Sequence, residues 1–351
     1  MNQFMIPLDE MFLFLNGLFL NDVRRFTVRS LLLNRDLFWV TLSGVEETSE
    51  VGGVILGEVY EQLRNKCGEV ISEIPSYTEY LNMFLASGVH KPNDWSRITR
   101  GLVEELNRDP LRGDRPVFIS FDTNALIRRY YTLFSNFLSV ENARRRFRPL
   151  RAGFVESSGV RKELEKFDTK YNDSDISEMS KTLDVNREIL DEFFNQLKLR
   201  DRLFRIGYVE YNKMLKQEYF EELEGESGDI KIIETLEKFS KNRNIDILVL
   251  SEDSDLIDRA NKRKLKGIRL DRPISPPQQT QVTWEEIAQL LYTAAITYGA
   301  ISITAKTKAK IYGVWKGKKA EHWNTETLKI STENPNLQEF LEKNKKILSK
   351  A

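Results

Sequence analysis

Four stretches of this chain place acidic side chains where carboxylate chemistry needs them. The apolar run VFISF ends at Asp122, and ILVL ends just before Ser251, with Asp253 and Asp255 beyond it. Both runs are short, β-branched and bounded by polar turns, which predicts buried strands. In a parallel α/β sheet ligands bind outside the carboxyl ends of the strands, so both acids are expected at one edge. A third acid comes from the helix predicted over residues 159–167. At about 100° per residue, Glu163 falls on the flank of the apolar face made by Val160, Leu164 and Phe167, whereas Glu165 points to solvent. Asp229 follows Gly228 and opens the helical segment IKIIETLEKF; sequence geometry leaves open which edge that helix start faces.

Carboxylates gathered in one pocket repel: two unit charges about 4 Å apart cost roughly 4 kcal/mol at an effective dielectric near 20. Either some are protonated or a hard cation sits among them. His90, His322 and Cys67 are the only residues of their types, so an internal disulfide, a zinc ribbon and an iron–sulfur site lack their parts, and a Ser-His-Asp triad or a histidine-based metal site has little support. An oxygen-only set suits Mg²⁺ or Mn²⁺. Such ions activate water and stabilise charge on a phosphodiester under attack. Each acid also has a plainer reading: Asp122, Asp229 and Asp253 suit helix N-caps, Asp255 a neighbour of a cap, and Glu163 a surface helix.

The elements that must position these acids divide the 351 residues into three expected parts. Residues 1–110 read as an N-terminal α/β region, with strands over 26–33 and 37–42 and helices over 54–74, 77–86 and 95–106; it is a candidate partner, homodimer or substrate-positioning surface. The turn-rich DPLRGDRP closes it. Residues 115–272 alternate short apolar runs with amphipathic helices, which predicts a parallel sheet covered on both faces. Its expected elements are a strand over 117–121, one helix over 123–137, a strand over 153–155, a long polar helical stretch to about residue 224, and strands over 245–250 and 267–270. A second linker, rich in proline and glutamine, leads to residues 280–351, a helix with a small β unit and a lysine-rich tail. Residues 11–20 are apolar but too short to span a membrane and lack a basic leader. The lone cysteine suits a reducing cytoplasm.

At this point FISFDTNAL, GVRKELEKF, GDIKII and VLSEDSDLIDRA, in that order, resemble the four acidic motifs of the PIN-domain nuclease family. The resemblance implies a three-layer α/β/α domain with a central parallel sheet over about residues 115–272. It also implies a metal-dependent nuclease, mainly ribonucleolytic and endonucleolytic. Matched motif by motif, it assigns Asp122, Glu163, Asp229 and Asp253 as catalytic metal ligands with Asp255 as a further acid. Asn124 and Ser251 become substrate-positioning groups. The segment between Glu163 and Asp229 is longer than in minimal members, and both flanking regions are extra.

With 53 basic and 53 acidic side chains, whole-chain charge names no polyanion partner, so local clusters matter. Arg144, Arg145, Arg146, Arg148 and Arg151 lie between the first predicted helix and the strand leading to Glu163. Arginine forks suit phosphates, and these residues are the expected RNA- or DNA-binding group; a solvated loop is their alternative. Residues 306–319 hold six lysines with Tyr312 and Trp315, either a base-stacking hairpin or core aromatics with lysines outside. Two rivals to the nuclease stay in view. One is a non-catalytic PIN-like scaffold that binds RNA or protein. The other is a phosphatase of the haloacid-dehalogenase type, which would need an aspartate where Asn124 stands.

Overall fold

A computed structural model describes residues 2–44, 48–145 and 149–348. It divides into two units, one of residues 91–167 and 204–273, the other of residues 1–90, 168–203 and 274–351.

The acids predicted to do chemistry all lie in the first unit. Its sheet has five parallel strands in the order Phe220–Leu223, Gly153–Ser157, Val117–Phe121, Asp246–Ser251 and Lys266–Arg269. The central strands Val117–Phe121 and Asp246–Ser251 are buried almost throughout, as a sheet covered on both faces requires. Phe121, Val155, Val160, Leu164, Ile233, Leu248 and Leu250 belong to one apolar core. The single helix expected over 123–137 is two, Thr123–Ile127 and Tyr130–Arg144. Arg129 breaks it with a left-handed backbone, φ 57°, and its buried guanidinium pairs with the equally buried Glu210 at 3.4 Å. The long helical stretch expected before residue 224 instead ends in an edge strand, Phe220–Leu223. Its polar residues mask it from pattern reading, because an edge strand need bury little.

The second unit corrects the expected three-part division. Residues 1–90 and 274–351 interleave in one antiparallel sheet of eight strands. Asn2–Ile6 pairs with Leu328–Thr332, Ala300–Thr304 with Arg25–Ser30, and Thr280–Val282 with Ser49–Gly53. Each flank lends the other an edge strand, Asn2–Ile6 to the carboxyl-terminal strands and Thr280–Val282 to the amino-terminal ones, so the two form one sheet. Helix Trp284–Tyr298, buried along almost its whole length, begins with a capping box in which Thr283 and Glu286 satisfy each other's backbone amides, a device that fixes a helix start. Residues 168–203, expected in the acid-bearing domain, also belong to this unit. Tyr312 and Trp315 are buried, and Lys318 is itself buried with its ammonium 4.7 Å and 4.0 Å from the ring centres of Trp315 and Trp323. Within the basic stretch 306–319, Ala309–Tyr312 is a strand and the aromatics point inward while Lys306, Lys308, Lys316 and Lys319 stay exposed, so those rings are closed to stacking by bases. Among the described residues no helix is long and apolar enough to cross a membrane.

Candidate active site

Strand register brings the first and last acids together. Phe121 pairs with Leu250 across neighbouring parallel strands, and Asp122 N donates to Leu250 O at 3.2 Å. Asp122 is 7% exposed. Its Oδ1 accepts from Ala125 N at 2.6 Å, capping helix Thr123–Ile127, and its Oδ2 accepts from Ser251 Oγ at 2.6 Å. Ser251 Oγ in turn accepts from Asp253 N at 2.9 Å. Asp253 caps the next helix through Asp255 N at 2.7 Å and Leu256 N at 3.3 Å. Capping and membership of the acidic edge therefore coincide in both aspartates.

Glu163 reaches the same edge from helix Ser158–Leu164. Its Oε2 accepts from Thr123 Oγ1 at 2.5 Å, next to Asp122, and its Oε1 accepts from Gly228 N at 2.9 Å, next to Asp229. Glu165 is exposed beside Arg161, at 3.9 Å. The loop leading to Asp229 is held onto this helix. Ser158 Oγ donates to Gly225 O at 3.1 Å and accepts from Gly225 N at 3.0 Å, while Lys162 Nζ donates to Gly225 O at 2.9 Å. Gly159 allows the approach: a Cβ there would lie 2.1 Å from Glu226 O.

Asp229 is the first residue of helix Asp229–Arg243. Partial burial, then the charges of Asp253 and Glu163, push its carboxyl above the ordinary range; Arg259 opposes them and Asp255 adds to them. Asp229 thus shares the field of three other acids, the edge that sequence geometry had left open. Asp255 and Asn124 are exposed at the starts of their helices. Burial pushes the Asp122 carboxyl up to about 6, against the hydrogen bonds from Ser251 and Ala125 and the nearby Arg128 charge.

Pattern reading missed Glu156. It is fully buried, accepts from Phe121 N at 2.5 Å and from Ser120 Oγ at 3.1 Å, and burial holds its carboxyl well above the usual range. The expected strand stopped at Val155; an acid continuing an apolar strand was the available signal. Glu252, between Ser251 and Asp253, was missed too. It accepts from Tyr130 OH at 3.0 Å and faces Arg128 Nε at 3.2 Å. Arg259 is the cation that the acidic edge presents to Asp229.

The arginine cluster lies elsewhere. Arg151 precedes strand Gly153–Ser157, whose Gly153 pairs with Phe118 near the start of its neighbour, so it stands at the amino edge of the sheet. Arg144 ends helix Tyr130–Arg144; a crossover helix must carry the chain back to where the next parallel strand begins. Arg145 binds Glu141 at 3.0 Å and Asn107 at 2.7 Å. Arg146 and Arg148 lie outside the described residues. The described members of the expected nucleic-acid group, Arg144, Arg145 and Arg151, are thus separated from the acids by the length of the strands, roughly 15 Å at about 3.3 Å per residue.

The donor types at the acidic edge, all oxygen, fit a hard cation. Among the described residues, however, no group of three or more acidic, histidine or cysteine side chains is arranged to hold a metal ion, and the carboxylates of Asp122, Glu163 and Asp253 are engaged with backbone amides and hydroxyls. No protein-family model matches the chain, and no curated protein matches it.

Proposed function

We propose that the unit of residues 91–167 and 204–273 is a PIN-like, divalent-metal-dependent nuclease, acting on RNA as an endoribonuclease in the cytoplasm. The supporting observation is the junction of Asp122 and Asp253 through Ser251 at the ends of adjacent strands, with Glu163 and Asp229 in the same field. The four motif segments lie in this unit alone, and the extra length between Glu163 and Asp229 is largely accounted for by residues 168–203, which belong to the other unit.

In this reading Asp122, Glu163, Asp229 and Asp253 would hold Mg²⁺ or Mn²⁺, with Asp255 flanking them. The ion supplies Lewis acidity and a water of lowered pKa. Ser251 orients Asp122, Glu163 fixes the turn that carries Asp229, and Arg259 offers a cation to a phosphate. Asn124, exposed near Asp122, would contact substrate.

The test is cleavage of single-stranded RNA with Mn²⁺. Asp122→Asn and Asp253→Asn should each lose activity while remaining folded, and Mn²⁺ should raise the melting temperature of wild type more than that of either variant. Activity equal to wild type in both variants would place the chemistry elsewhere.

The second reading, a PIN-like binding scaffold without catalysis, is favoured by one observation: Asp122, Glu163 and Asp253 are already bonded within the protein, and the acids form no ready ligand group among the described residues. RNA binding that survives Asp122→Asn, with no Mn²⁺-dependent stabilisation, would select it.

A further inference from the structure

An open cavity of about 610 Å³ lies at the amino edge of the parallel sheet. It is formed where strands begin: Phe118 and Gly153 at neighbouring strand starts, Tyr219 just before the edge strand, and Pro149 in the approach to Gly153. The Phe118 ring comes so close to Gly153 that a Cβ there would fall 2.7 Å from it, so glycine lets this aromatic wall form. Tyr219 is 45% exposed.

Arg108, Arg115 and Arg151 line the same cavity. Arg108 is committed, to Glu105 at 2.7 Å and to Asp246. Arg115 is more than half exposed and reaches Asp246 only at 3.5 Å. Arg151 is exposed and pairs with no acid among the described residues. Glu105 is further held by Lys266 at 2.6 Å. Two carboxylates thus face four cations, and the surplus sits on Arg115 and Arg151.

We propose that this cavity binds a free nucleoside monophosphate, with the base against Phe118, Tyr219 and Pro149 and the phosphate on Arg115 and Arg151. The volume falls within the range of small-ligand sites, about 300–1,000 Å³. Aromatic and proline walls beside exposed guanidinium forks with donors to spare match a ring that carries a phosphate, since arginine both stacks on rings and grips phosphate with two donors. The site is independent of the nuclease reading, because it shares no residue with the acidic edge.

The test is calorimetric titration of the full chain in EDTA with AMP, adenosine and inorganic phosphate. AMP should bind, and adenosine and phosphate should each bind at least tenfold more weakly. Arg115→Ala and Arg151→Ala should each weaken AMP by about tenfold, the equivalent of one charge-assisted contact. Both side chains are exposed, and an unchanged melting temperature will show that the variants fold. Asp122→Asn should leave AMP affinity unchanged. The proposal is overturned by absence of AMP binding at millimolar concentration, by phosphate binding as tightly as AMP, by undiminished affinity in Arg151→Ala, or by loss of binding in Asp122→Asn.

Discussion

Ser251 Oγ donates to Asp122 Oδ2 at 2.6 Å, joining residues 129 positions apart. The same oxygen accepts from Asp253 N at 2.9 Å. One small, fully buried side chain therefore sets the relation between the acids that follow two neighbouring strands.

Ser251→Ala should remove that relation at once. A buried carboxyl group loses a donor and Asp253 N loses an acceptor, which costs about 1–3 kcal/mol. Urea denaturation in EDTA measures the loss. A variant as stable as wild type would mean that water or a neighbour replaces the hydroxyl without cost.

Asp122 gives a pH prediction. Its folded carboxyl titrates at about 6, above the ordinary 3.8, chiefly because it is buried. Between about pH 4 and 6 the native state therefore holds a proton that the unfolded chain has released, so this group's contribution falls as pH rises through that window. Asp122→Asn removes the penalty. Measured without metal, the stability of the variant relative to wild type should grow from pH 4 to 7 by on the order of 2–3 kcal/mol. A pH-independent difference contradicts the assigned burial.

Glu163 ties Thr123 to Gly228. Glu163→Gln keeps one acceptor oxygen and should destabilise by about 1 kcal/mol; Glu163→Ala loses both bonds and should cost more. The specific readout is amide exchange at Gly228, which should quicken in the alanine variant before global stability fails. Unchanged exchange there would show that the loop is held by the Ser158 contacts alone.

Two glycines should respond in opposite directions. At Gly159 a Cβ would lie 2.1 Å from the Glu226 carbonyl oxygen, and backbone yields only at a cost. Gly159→Ala should destabilise by about 1–3 kcal/mol and displace the loop before Asp229. At Gly101, in helix Trp95–Leu106, a Cβ would meet nothing within 4 Å, so Gly101→Ala should stabilise by roughly 0.5–1 kcal/mol. Thermal melts of the pair decide both.

The sequence by itself determined the local features. The runs before Asp122 and Ser251 are strands because short β-branched stretches bury well in a sheet. The segments at Tyr77–Ala86, Trp95–Leu106 and Trp284–Tyr298 are helices because apolar residues recur at helical spacing. The scarcity of histidine and cysteine left carboxylates as the available chemical groups. Tertiary structure decided the rest. Which strands pair is a long-range matter that period and propensity do not encode, so the union of residues 1–90 with 274–351 was hidden. Glu156 is buried only because its strand runs two residues further than its apolar pattern. Arg144 and Arg151 are close to Glu163 in sequence yet lie at the opposite edge, because a parallel crossover returns the chain to the start of the sheet before the next strand can begin.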